Sequence, residues 1–276
     1  MNINRLFVLL YATSVYTLTI VNPNVSLAGK VQTIAQANNV CFSNEKNWKS
    51  LISFRPSSNI QRKLKNKGWY VHPIENAKGQ INLDYYPVKI SRLPQRQSPD
   101  ELLRYIRLNL NKFINQKLAN FEPYNQSYLR QWKSQNPLSS VIHIDIFLKS
   151  LNVDDGSVIV SASNNRSWIF STIWTNSDFR HPVSGNRKFG FIRKNNSYIF
   201  YTKGADRTTT LLDSIASTQV FGGGEALWTS FQQSLVKFVN QQGGSAEIVP
   251  AISKRCDWEQ IKQRYHNPTT PWIMIT

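Results

Sequence analysis

The sequence predicts an α+β fold: an antiparallel sheet of about five or more strands in a meander, packed on one face by two long amphipathic helices. Three observations predict it. Short apolar runs with period-two alternation follow one another over 141–203, and the turns between them, Asn164-Asn165 and Asn195-Asn196 among them, are too short for crossovers. Two stretches, 98–118 and 228–239, instead carry apolar residues at helical spacing. The chain is 276 residues long and 41% hydrophobic, with 14 Phe, 11 Tyr and 8 Trp, which is enough to bury a sizeable core.

The N-terminus reads as a targeting segment. Arg5 precedes an uncharged, mostly apolar run over 6–21, Asn22-Pro23-Asn24 breaks it, and Ser26-Leu27-Ala28 offers small residues for a signal peptidase. Residues 1–28 are therefore expected to be a signal peptide, with an alternative cut after Ala37. Residues 29–47 are expected to form a loose leader, and 48–276 a single α+β domain. The protein is expected to be secreted or periplasmic, with no transmembrane segment after cleavage. Cys41 and Cys256 fit that destination, because two thiols left alone in an oxidising compartment form one disulfide. Such a bridge closes a very long loop and stabilises the fold by roughly 4–5 kcal/mol in the chain-entropy model.

The elements follow in order. Residues 48–67 are weakly helical and end in the basic run Arg62-Lys63-Leu64-Lys65-Asn66-Lys67, where cations suit the helix dipole. Residues 69–71 and 81–90 suggest two strands with 76–80 as the turn between them. Ser98, Pro99 and Glu101 spell a capping box, and Leu102, Leu103, Ile106, Leu110, Phe113, Ile114 and Leu118 give that helix its stripe. A shorter connection around Trp132 closes at Asn136-Pro137. Strands are expected at 141–148, 158–161, 168–175, 188–193 and 198–203, with Asp154-Asp155-Gly156 read as a turn. Gly222-Gly223-Gly224 should precede the second helix, whose stripe is Trp228, Phe231, Leu235, Phe238 and Val239 and which Gly243-Gly244 ends. Residues 246–249 read as a strand, 257–265 as a short helix and 272–275 as an apolar tail.

Polar residues gather around the hairpin that turns at Asn195-Asn196. Its register should set Lys188 beside Lys203, and Asn186 and Arg187 beside Gly204, Ala205 and Asp206. His181, Arg187 and Asp206 are the candidate catalytic set, with His181 as a general acid or base and Arg187 as an anion clamp. Arg180, Asn186, Lys203 and Arg207 are candidate ligand-binding residues. The same residues equally read as an Asp–Arg ion pair that locks the hairpin. His143 and Asp145 share a strand face, and His181 could join them around a metal, but the spacing assigns no metal site. No phosphate loop, nucleophile elbow, zinc-protease His pair or Cys-x-x-Cys is present, so no cofactor is expected.

The blocks HPVSGNR-x-FG (181–190) and YT-x-GADR (201–207) resemble a pairing found in an uncharacterised family of bacterial secreted proteins. The resemblance implies export and carries no activity with it.

The formal charge of +17 falls only by Arg5 on cleavage, leaving 32 basic residues against 16 acidic ones. Such an excess favours an anionic surface, an acidic ligand or nucleic acid as partner. The expectation is an exported basic binding protein engaging an anionic partner or a small ligand held between sheet and helices. The alternative is a secreted hydrolase, a phosphodiesterase or nuclease-like toxin, working through His181, Arg187 and Asp206.

Overall fold

The computed structural model describes Cys41 and residues 46–148, 151–210 and 217–266. The expected signal peptide, both cleavage points, most of the leader and the apolar tail lie outside these residues. Within the expected leader, Cys41 bonds to Cys256 across 215 residues of sequence, with the Cα atoms 5.8 Å apart. Helix α1 (Lys46–Ile52) already begins there.

The sheet has eleven strands, every pairing antiparallel. Strands β4 (Val141–Leu148), β5 (Leu151–Asn164), β6 (Ser167–Thr175), β8 (Val183–Lys194) and β9 (Ser197–Thr208) form the predicted meander, and β3 (Ala119–Pro123), which the sequence reading did not include, extends it beside β4. The long β2 (Lys78–Arg92) adds next to β9 and pairs along its outer edge with β10 (Ser245–Ile248) and β11 (Ile252–Cys256). The two-residue strands β1 (Tyr70–Val71) and β7 (Phe179–Arg180) pair with the end of β6. The Asn195-Asn196 turn has Asn195 at φ 53°, the left-handed geometry of a two-residue hairpin turn.

Both sheet faces are covered, which corrects the expectation of helices on one face. Strand alternation explains it, because apolar residues occupy both parities. One face carries Tyr86, Val88, Ile90, Ile142, Ile144, Val158, Val160, Trp168, Phe170, Phe189 and Phe200. It packs against α3 (Pro99–Leu108) and α5 (Ser217–Gln241) in the main core. On the other face Ile81, Leu83, Ile169 and Ala205 meet α1 and α6 (Trp258–His266) through Trp48, Leu51, Trp258 and Ile261. Val141, Ile159 and Ile173 meet α2 (Ser58–Lys65) through Ile60 and Leu64. A short α4 (Gln126–Lys133) places Trp132 in the main core.

Only one of the two expected long helices is long. Helix α3 spans 10 residues and stops where Asn109 leaves helical geometry and its amide donates to the Tyr105 carbonyl at 2.9 Å. Leu110, Phe113 and Ile114 stay buried after a 3₁₀ turn, so the stripe is kept without the helix. Its capping box is formed, the Glu101 carboxylate accepting from the Ser98 N–H at 2.8 Å and from its hydroxyl at 2.7 Å. Helix α5 spans 25 residues and runs through Gly222-Gly223-Gly224 rather than starting after them. Glycine costs a helix up to about 1 kcal/mol per residue relative to alanine. Buried Phe221 on one side and Leu227 and Trp228 on the other hold these three residues in the helix.

Two expected turns are also absent. Asp154, Asp155 and Gly156 lie inside β5, where Gly156 faces Ile144 on β4. A Cβ at Gly156 would fall 2.8 Å from Cγ of His181, so glycine marks a close approach rather than a reversal. Strands β1 and β2 do not pair; a 3₁₀ turn at Ile74–Asn76 separates them, and Tyr70 on β1 stacks on Trp174 of β6 at 5.2 Å.

Candidate functional site

The hairpin register is the expected one: Lys188 faces Lys203, Arg187 faces Gly204, and Gly185 faces Asp206. Alternation then separates the polar side chains that the register brings together. Arg187 and Asp206 point toward α5, while Asn186, Lys188 and Lys203 point to the opposite face.

On the α5 side the cluster has members from β2 that sequence alone did not place there. The Arg187 guanidinium donates to Oδ2 of Asp84 at 2.7 Å and lies 3.7 Å from Oδ2 of Asp206. Asn82 donates to both carboxylates, at 3.1 Å to Asp84 and 3.4 Å to Asp206. The Gly204 N–H donates to the other Asp84 oxygen at 2.9 Å, and the guanidinium rests 4.4 Å from the Trp228 ring centre. Gly204 is required by space, since a Cβ there would lie 2.7 Å from Cζ of Arg187 and 2.8 Å from Asp84 Oδ1. Asp84, Asn82 and Asp206 are all buried. Burial, then the neighbouring Asp84 charge, pushes Asp206 up to about 7, against the pull of Arg187 and Asn82. Burial opposes the Arg187 charge, but Asp84 and Asp206 outweigh it and raise its pKa. One cation between two buried carboxylates is the arrangement of a structural lock.

His181 does not join them. Its Nδ1 accepts from the Val183 N–H at 3.2 Å, its carbonyl accepts from Thr209, and its ring covers Gly156. Burial, with His72 next in effect, lowers its pKa to about 4, so the ring is neutral at pH 7. Arg187 and Asp206 thus share a face on neighbouring strands, while His181 precedes β8 and makes its hydrogen bonds with Val183 and Thr209.

The expected ligand-binding residues also divide. Asn186 is buried, donates its amide to the Leu51 and Phe54 carbonyls at 3.1 and 3.2 Å, and accepts from Ser171. Arg207 is buried, donates to the Gly79 and Ile74 carbonyls and covers the Trp258 ring at 4.5 Å. Both fasten helices and loops to the sheet. Arg180 is exposed on β7.

Lys203 sits in a row that crosses four strands: Lys188 on β8, Lys203 on β9, Tyr85 on β2 and Ile252 on β11. On the same face Tyr201 lies two residues to one side of this row and Lys254 two residues to the other, and the Tyr85 and Tyr201 rings are 5.5 Å apart. The Lys203 ammonium lies 4.6 Å from the Trp48 ring centre. Burial, then Lys188, lowers Lys203 to about 8.

Elsewhere on that face, His143 on β4 is held between two carboxylates. Its Nδ1 is 2.8 Å from Asp178 and its Nε2 is 3.0 Å from Asp145. Asp178 also accepts from Ser157 and Ser177. The Asp178 hydrogen bond, with that from Asp145, raises His143 to about 9 against burial, which lowers it. His181 takes no part, since it lies over the other face of β5. Between sheet and α5, Trp168 stacks on Phe189 at 4.6 Å, and Phe189 meets Trp228 and Phe231 at 5.5 and 5.9 Å.

No family model and no curated protein matches the chain. Among solved structures it is similar to the di-domain ARO/CYC StfQ from the steffimycin biosynthetic pathway, at 8% identity and TM-score 0.41, over 62% of this chain and 53% of that one. The chain thus spans about half the length of StfQ. It is also similar to a START superfamily protein from Mycobacterium smegmatis, at 9% identity and TM-score 0.39, over 59% of this chain and 99% of that one. A third likeness is to Ara h 8.0201, at 9% identity and TM-score 0.35, over 56% of this chain and 99% of that one. These are weak likenesses of architecture.

Proposed function

We propose that the protein is an exported binding protein that holds an anionic partner, bearing phosphate or sulfate, on the sheet face carrying Lys188 and Lys203. The observation that carries the reading is their direct opposition across β8 and β9. Like charges facing each other in an antiparallel pair cost roughly 0.2–1 kcal/mol. An anion seated between them turns that repulsion into attraction. Tyr85 and Tyr201 beside them supply flat apolar area, and the excess of basic over acidic residues draws anions from a distance. The hydrolase alternative needs His181 within reach of Arg187 and Asp206, and both of those are engaged in the lock with Asp84.

The test is retention on heparin and on vesicles containing anionic lipid, each measured against salt. Retention that falls steeply with salt and drops in Lys188→Glu supports the reading. Undiminished retention of a folded Lys188→Glu protein would overturn it.

A further inference from the structure

We propose that His143, Asp145 and Asp155 form a site for one divalent metal ion, Zn²⁺ or Mn²⁺, with Asp178 and Ser157 orienting the imidazole from behind. The proposal is independent of the anion-binding reading and concerns a different part of the sheet. The β4–β5 ladder sets Asp145 directly opposite Asp155 and His143 opposite Ser157. One ligand atom from each of His143, Asp145 and Asp155 lies within 4.8 Å of the other two. Bonds of about 2.0–2.2 Å to nitrogen and carboxylate oxygen place ligand atoms roughly 3.3 Å apart in a tetrahedral shell. Nε2 and Asp145 Oδ1, at 3.0 Å, already meet that spacing.

The surroundings orient these groups. The Nδ1 hydrogen bond to Asp178 at 2.8 Å fixes the ring so that Nε2 faces the two carboxylates, and Ser157 donates to the same Asp178 oxygen. This is the carboxylate–histidine–metal arrangement that sets tautomer and basicity in metal sites. Asn120 donates to Asp145 Oδ2 at 3.4 Å, which leaves Oδ1 directed at Nε2. A simple ion pair would need only Asp145 and Asp178. Asp155 adds a second carboxylate opposite the first across the ladder. Binding replaces the Nε2 proton, which leaves to solvent. One nitrogen and two carboxylate oxygens suit Zn²⁺ and Mn²⁺ better than Mg²⁺. All three residues keep some exposure, so solvent reaches the proposed site.

The test uses the purified, chelator-stripped protein titrated with ZnCl₂, MnCl₂ and MgCl₂ in a calorimeter. The expected result is one saturable site for Zn²⁺ or Mn²⁺. It should weaken at least tenfold in Asp155→Asn and about 10–100-fold in Asp178→Asn, with melting in chelator unchanged for Asp155→Asn. Zinc should also shift the His143 ring signals in the NMR spectrum of the unmutated protein, a readout independent of any variant's folding. Lack of one-to-one binding, equal affinity in folded Asp155→Asn, or binding that leaves those ring signals unmoved would each overturn the proposal.

Discussion

Replacing Arg187 by Met should destabilise the protein severely, and in a pH-dependent way. The guanidinium is the one cation found between Asp84 and Asp206 among the described residues, 2.7 and 3.7 Å from them, and both carboxylates are buried. Removing one partner from a buried ion pair costs about 3–5 kcal/mol, because the other charge is left without compensation. For a protein of this size that lowers Tm by roughly 6–20 °C. The sign with pH follows from Asp206. Its folded pKa of about 7 lies above the value near 3.9 expected unfolded, so its stabilising contribution is complete below about pH 4 and is lost as pH rises through 7. Arg187 is one of the groups holding that pKa down, so Arg187→Met raises it further. The stability gap between the two proteins should therefore widen from pH 5 to pH 8. Urea denaturation at several pH values measures it. Asp84→Asn in the Arg187→Met background should restore part of the loss, since one of the stranded charges is gone. A gap below about 1 kcal/mol, or one that does not change with pH, would refute the picture of a desolvated lock.

Three further outcomes follow from the same geometry. Gly204→Ala places a methyl group against Arg187 and Asp84 and should cost about 1–3 kcal/mol, much less when Arg187 is already Met; equal costs in both backgrounds would mean the glycine serves the backbone alone. Reducing the Cys41–Cys256 bond opens a loop of 215 residues and should cost about 5 kcal/mol in the entropy model, read as a drop in Tm with reductant that a Cys41→Ser variant does not show. Lys203 loses its charge near pH 8, so heparin affinity should fall between pH 7 and 9. A flat profile would remove Lys203 from the contact.

Much of the fold is legible in the sequence because it is written in local patterns. The meander, the Asn195-Asn196 turn, the Ser98 capping box and the disulfide all follow from neighbours in the chain or from simple pairing. What escaped depends on distant residues. Asp154 to Gly156 carry turn chemistry, yet the ladder with β4 and the ring of His181 keep them extended. The three glycines of α5 look like a break until Phe221 is seen buried ahead of them. The candidate site shows the same division. Pairing two strand ends predicts which backbones meet, and Lys188 and Lys203 meet as expected. It does not tell which side chains share a face unless parity is followed, and parity separates Arg187 and Asp206 from Asn186 and Lys203. Asp84 and Asn82, the residues that complete the lock, sit more than a hundred positions away. The only local signal for them was two polar residues alternating with Ile81, Leu83 and Tyr85 in an otherwise apolar strand.

The most direct measurement is lysine acylation read by mass spectrometry, with and without a saturating sulfated polysaccharide. Protection of Lys188, Lys203 and Lys254, with Lys63, Lys65 and Lys67 of the α2 segment modified equally in both samples, is what an anion seated on the sheet face requires. Protection confined to those helix lysines, with Lys188 and Lys203 unchanged, would contradict it.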